Sequence, residues 1–191
     1  MIGSLRGTVT HVGLDHALVE VGGIGYRVVA GPALLGRLRQ GSEVSVYTHH
    51  LVREDQQALF GFATTEELAF FELLMTVSHV GPRLALAITS AHAVTKLQLA
   101  IVTDDSDVFS SVSGVGRKTA QRIILELKEK VHAAGIAASG AAATDSDVVA
   151  ALESLGYSAA EARKAAGAVA GTSGELDARI KAALQELARS R

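Results

Sequence analysis

Two nine-residue segments, 35 positions apart, constrain this chain more than any other feature. Val77-Ser78-His79-Val80-Gly81-Pro82-Arg83-Leu84-Ala85 is echoed by Val112-Ser113-Gly114-Val115-Gly116-Arg117-Lys118-Thr119-Ala120. The correspondence continues from Ile88 to Ile123, and each copy lies between two apolar helical stretches. A Gly-apolar-Gly turn lets one helix end and another begin within a few residues, because glycine accepts backbone angles closed to other residues. The apolar middle residue plugs the gap, and Ala85 and Ala120 let the helices approach closely. The second helix of each pair starts with unpaired N–H groups at its positive dipole end, which is an anion site. Arg83 and Lys118 add charge there.

A DNA phosphate fits such a site, and contacts of this kind position a protein on DNA without reading sequence. The expected contact set is Ser78, His79, Val80, Gly81 and Arg83 in the first copy. In the second it is Ser113, Gly114, Val115, Gly116, Arg117 and Lys118. Arg122, four residues after Lys118, shares its helix face. The plainer reading is a pair of ordinary tight helix-helix turns and, for Arg122, a surface salt bridge to Glu126. His79 stands where the first copy lacks its first glycine. Histidine tolerates positive φ better than most residues, so the turn is expected to survive at some strain, or to bind phosphate less well.

The formal net charge of −2 excludes a simple DNA-coating protein. Basic residues must therefore gather on one face, with the acids elsewhere or given a task. There is no cysteine, which excludes disulfides, thiolate metal sites and a cysteine nucleophile. The opening MIGSLRGTVT lacks the apolar core of a secretory signal. No stretch reaches the ~20 apolar residues of a membrane span. A soluble, cytoplasmic protein is expected.

Residues 1–63 read as β structure, with strands expected over 5–12, 17–21, 26–30, 44–52 and 58–62 and a short helix over 32–39. Five short strands and one small helix suggest a compact barrel of the oligonucleotide-binding (OB) type; composition does not separate it from an SH3-like barrel. Residues 64–132 change to helical period, with Thr64 as N-cap and Leu68, Phe71, Leu74, Met75 and Ser78 on one face. Residues 133–143, rich in Ala, Gly and Ser, read as a linker. A third unit, 144–191, should hold three helices, the first capped by Asp145 or Ser146 and stopped at Gly156. At ~45 residues its stability alone is marginal. The fold class is therefore α+β and multidomain.

Gly116-Arg117-Lys118-Thr119 resembles a nucleotide P-loop only superficially, since Arg117 separates Gly from Lys and position 111 is Ser. No ATP site, metal set or cofactor is expected. The seven histidines form no convincing ligand set, His49 and His50 pointing to opposite faces of a strand. Two other classes remain open. One is a helix-hairpin-helix repair enzyme, a glycosylase or nuclease, for which Asp104, Asp105 and Asp107 are the nearby acids, more simply read as a loop and a helix cap. The other is an adaptor whose hairpins are purely structural.

The order of motifs resembles that of the RuvA family, the Holliday-junction-binding subunits of the bacterial branch-migration complex. The resemblance spans nearly the whole chain. It rests on MIGSLRG, on VGGIGYRV at 21–28, on LVREDQQALFGF at 51–62, on both hairpins, on ELKEK at 126–130 and on ESLGYS at 153–158. It implies an OB barrel, a double helix-hairpin-helix domain and a small three-helix domain behind a flexible linker. It implies a four-fold symmetric homotetramer that can stack as an octamer, with four-way junction DNA, the hexameric RuvB motor and the nuclease RuvC as partners. The family is a non-catalytic subunit of an ATP-dependent complex. On residues alone Glu54 and Asp55 are a solvated hairpin tip; the resemblance makes them an acidic pin at the tetramer centre. On residues alone the recurring apolar positions of the last unit are the core of a small bundle, and most of them must serve it; the resemblance adds an apolar surface there as the RuvB site, with Leu152, Leu155, Tyr157, Ile180 and Leu184 as candidates.

Overall fold

The computed structural model describes residues 1–135, 144–170 and 176–189, the side chains of 131–135 excepted. Five strands form the N-terminal unit: β1 (Ser4–Val12), β2 (His16–Val21), β3 (Ile24–Ala30), β4 (Glu43–Val52) and β5 (Gln57–Phe62). They close in the order β1-β2-β3-β5-β4, with β3 and β5 parallel and the other pairs antiparallel. This is the OB-type barrel, and it settles the choice that composition left open. Alternating side chains fill it, among them Leu5, Val19, Val28, Val46 and Leu59. A register shift between Val9 and His11 bends β1, so that the inward side changes from odd to even positions. The small helix α1 (Pro32–Leu35) has proline at its start and ends four residues short of the expected 39.

Helices α2 (Thr65–Met75), α3 (Pro82–Ala91), α4 (Val94–Val102), α5 (Ser106–Ser110) and α6 (Arg117–Gly135) form the second unit. Thr64 caps α2 as expected: its hydroxyl accepts from Glu67 N at 3.2 Å, while the Glu67 carboxylate accepts from Ala63 N at 2.9 Å. Ser78 does not belong to the packed face of α2. The helix ends at Met75, and Ser78 lies exposed in the following turn. The barrel is locked to α2 by aromatic packing, Phe60 and Phe62 lying 5.5 and 4.9 Å from the Phe71 ring. His49 also packs on Phe71, and its Nδ1 lies 3.0 Å from the Glu72 carboxylate.

The third unit is α7 (Asp145–Ser154), α8 (Ala159–Ala168) and α9 (Leu176–Arg189). Its cap is Thr144 rather than Asp145 or Ser146. Thr144 and Asp147 form a reciprocal capping box, which places the carboxylate at the third helical position. Gly156, at φ 96°, turns the chain after α7 as expected. Helix α6 runs three residues into the expected linker, and positions 136–143 lie outside the described residues.

The terminal unit does not stand apart from the second unit. The two share one apolar core, and α6 packs on α7 and α4 on α9. Within this dry seam Gln98 donates to the Leu155 carbonyl at 2.7 Å, and the Tyr157 hydroxyl donates to Gln98 Oε1 at 2.7 Å. Lys128 bridges Asp104 and Asp177, at 2.7 and 3.6 Å. These carboxylates, the Asp104 hydrogen bond foremost, hold the Lys128 ammonium above its ordinary pKa. A unit this small buries too little surface by itself, and packing against α4 and α6 supplies the remainder. No single helix among the described residues is long and apolar enough to cross a membrane.

Candidate nucleic-acid interface

The repeat in sequence is a repeat in hydrogen bonding. In the first copy Val80 N donates to Val77 O at 3.1 Å and Ala85 N to Gly81 O at 2.9 Å. In the second, Val115 N donates to Val112 O at 3.0 Å and Ala120 N to Gly116 O at 2.9 Å. Val80 and Val115 are buried as plugs, and Ala85 and Ala120 have no exposed surface. Ser78, His79, Gly81, Ser113, Gly114 and Gly116 are exposed around them. Each turn needs one residue at positive φ, filled by His79 at 66° and by Gly114 at 88°. His79 therefore holds the left-handed conformation that the first copy requires, with the strain expected of a non-glycine residue there.

Helices α3 and α6 begin at these turns. Among the described residues, the amides of Gly81, Arg83 and Leu84, and those of Gly116, Arg117, Lys118 and Thr119, have no hydrogen-bond acceptor. Pro82 has no N–H, so the first copy offers one donor fewer than the second. The side chains of Arg83, Arg117 and Lys118 are exposed beside these donors. Free amides, the positive helix end and mobile cations together make a site for a phosphate or similar anion.

Arg122 is exposed at the start of α6, and the ion pair expected with Glu126 is not formed. Its Nη1 donates instead to His79 Nδ1 at 2.7 Å, in the other hairpin. Glu126 accepts from Ser78 N at 3.0 Å and lies 3.4 Å from the Ser78 hydroxyl. These contacts join residues 43 and 48 apart, so helical spacing gave no signal for them.

Glu54 and Asp55 are the two central residues of the β4–β5 hairpin, closed by Arg53 N to Gln56 O at 2.8 Å and Gln56 N to Arg53 O at 3.4 Å. Both are exposed at the tip. Neither has positive φ, so this is not the glycine-favouring turn usual in two-residue hairpins.

The candidate partner residues of the terminal unit all lie in its core, the plainer of the two readings. Leu152, Leu155 and Ile180 have no exposed surface, Leu184 has 2% and Tyr157 5%. They are core, because their helical period marks a face that the neighbouring helices already cover. A partner seated on this unit touches other residues.

Two of the three acids of the repair-enzyme reading have structural roles. Asp104 pairs with Lys128, and Asp105 caps α5 by accepting from Asp107 N at 3.2 Å. A cleft of about 550 Å³ lies between the barrel and α3, lined by Leu14, Asp15, Pro32, Arg83, Leu86 and Ser113. Its carboxylate, Asp15, is held below its ordinary pKa by the hydrogen bond from His16. That favours a charged acceptor over a proton donor. Among the described residues no group of three or more His, Asp or Glu is gathered to hold a metal.

Comparison with known proteins follows this division of the chain. Residues 1–61 match the family model described as RuvA N terminal domain, 71–129 the SAM-like helix-hairpin-helix tandem, and 145–188 the RuvA C-terminal domain. A protein of Dehalococcoides mccartyi is 45% identical over 192 residues, covering 96% of this chain and 97% of its own. One of Thermobifida fusca is 45% identical over 202 residues, and one of Mycobacterium ulcerans 41% over 197, each covering both chains entirely. All three are named Holliday junction branch migration complex subunit RuvA.

Proposed function

This chain belongs to the RuvA family, and we propose that it binds four-way DNA junctions by their shape, holds them open and brings the RuvB ATPase to them for branch migration in recombination and repair. The observation that carries this reading is the pair of hairpins built on one hydrogen-bond pattern, each opening a helix whose first amides are unpaired beside exposed cations. Amides, Arg83, Arg117 and Lys118 address phosphate oxygens, which every sequence presents alike. Two such sites in one chain grip one duplex arm.

A homotetramer places four pairs of sites around four arms and gathers the Glu54–Asp55 tips at the crossover. Two like charges at 4 Å repel by about 1 kcal/mol in water, and by more where water is excluded. Eight carboxylates at the centre therefore push phosphates outward and keep the junction square. This resolves how a chain of net charge −2 serves DNA: the arms meet cations and the crossing point meets acids. RuvB engages the terminal unit, RuvC joins for resolution, tetramers pair as octamers, and the work is done in the cytoplasm. The relatives' shared name is that of a complex subunit and two of the matched models are RuvA domains, so the glycosylase or nuclease reading is set aside.

A gel shift comparing four-way and linear duplex DNA, run beside a mass measurement in solution, tests the reading. A strong preference for the four-way substrate by a tetramer is expected. Equal affinity for linear duplex overturns it.

A further inference from the structure

Three side chains of α6 at four-residue spacing, Arg122, Glu126 and Lys130, reach across to the first hairpin. Arg122 donates to the His79 ring, Glu126 accepts from the Ser78 amide, and Lys130 donates to the Thr76 hydroxyl and, at 3.4 Å, to the Thr76 carbonyl. Residues four apart stack along one helix face. They meet 79, 78 and 76 in turn, so the stripe runs antiparallel to the segment it holds. The same helix opens at the second hairpin, with Arg117 and Lys118 in its first turn. We infer that this stripe is a splint: it fixes the first hairpin to the helix that carries the second, so the two phosphate sites keep one spacing. Arg122 is then a positioning residue, acting through His79 rather than on DNA.

The chemistry supports this assignment at each contact. Arginine is a permanent donor, so the His79 Nδ1 facing it presents a lone pair. That contact orients the one non-glycine residue that must hold positive φ for the turn to exist. Among the described residues, the second copy, with Gly114 at that position, shows no equivalent tether at Ser113 or Gly114. The brace is thus found where the backbone is strained. Glu126 is the more telling member. A carboxylate beside a phosphate site weakens DNA binding through space, so its presence there calls for another role, and the Ser78 amide supplies it.

The inference rests on the junction-binding reading, and two measurements keep their failures apart. The first needs no DNA: amide hydrogen exchange in the full-length protein. Glu126→Ala should speed exchange at Ser78 and leave Gly114 unchanged, while Glu126→Gln, which keeps an acceptor oxygen, restores protection. Unchanged Ser78 exchange in Glu126→Ala overturns the splint whatever the protein binds. The second is junction affinity across a salt series. Glu126→Ala and Glu126→Gln remove the same charge, yet only alanine should weaken binding, by about tenfold. Arg122→Ala should weaken binding with an unchanged salt slope, and its effect should largely vanish in a His79→Gly background. If both Glu126 variants bind at least as well as the parent protein the splint is refuted, and if Arg122→Ala lowers the slope by about one unit in both backgrounds Arg122 is a phosphate ligand and the splint is likewise refuted. A parent protein that shows no preference for four-way DNA refutes the reading beneath it, and the exchange measurement then decides the splint alone.

Discussion

Gly114 is the position where the second hairpin can be tested by conformation alone. Its φ of 88° lies in the left-handed region, and a methyl added there meets only Leu84 Cδ1 at 3.6 Å, an ordinary contact. Gly114→Ala therefore carries no steric penalty, and its whole effect is the backbone preference of an L-residue, about 1–2 kcal/mol. Asparagine visits this region more readily and should lose roughly half as much, while a β-branched valine should lose more. In denaturant unfolding the midpoint should fall in the order Gly, Asn, Ala, Val at constant slope, since the surface exposed on unfolding is unchanged. Where the altered turn relaxes instead of straining, the amides of Gly116 to Thr119 lose their aim. Junction affinity should then fall by up to about tenfold for a comparable 1.4 kcal/mol. An alanine variant with parental midpoint and parental affinity, or an asparagine variant as harmed as alanine, would refute the reasoning.

Lys118→Ala should weaken junction binding whatever the sequence of the arms and reduce the salt slope by about one unit; a slope unchanged in a titration of binding against salt counts against a phosphate contact there. Replacing Glu54 and Asp55 by Gln and Asn should leave junction affinity intact or raised while altering branch migration, and loss of binding in a folded double variant would show that the tip is not a repelling pin. Gln98→Ala removes the hydrogen bonds that Gln98 makes to the Leu155 carbonyl and the Tyr157 hydroxyl in a buried seam, a loss of about 1–3 kcal/mol. Limited proteolysis should then cut the terminal unit faster while junction binding persists, and unaltered cutting would show that the seam does not depend on this residue. Hydrogen bonds from the Thr144 backbone and hydroxyl hold the Asp147 carboxyl below its usual pKa. The α7 cap therefore contributes fully above the ordinary carboxylate range and is lost as pH falls through the lowered value; Asp147→Asn should flatten that acid-side loss in a helicity titration.

The local part of this architecture was legible because its signals are local. β-Branched runs between glycine turns placed the strands within one or two residues, Thr64 announced α2, and the repeat announced both hairpins. What was not legible depends on distance. The bulge after Val9 follows from barrel closure, not from any residue in β1. The pairing of Gln98 with Tyr157 joins positions 59 apart, and Arg122 meets His79 across 43. Periodicity finds a helix's apolar side but not whether a neighbour covers it, which is why Leu152 and Ile180 stood open between core and docking surface until their burial placed them in the core. Asp104, at φ 57°, lay in what read as a loop; its ion pair with Lys128 is again a long-range contact.

Helix α6 extends over 19 residues, about 28 Å at 1.5 Å each. One end presents its first turn to the phosphate cradle, and further along it Lys128 is tied to Asp177 of the terminal unit. Between them runs an unbroken ladder of backbone bonds, with neither proline nor glycine before Gly135 to act as a joint. A rod of that kind bends little. On the proposed reading, a motor pulling on the terminal unit in this seating would load the DNA grip directly, so that torque and hold share a single beam.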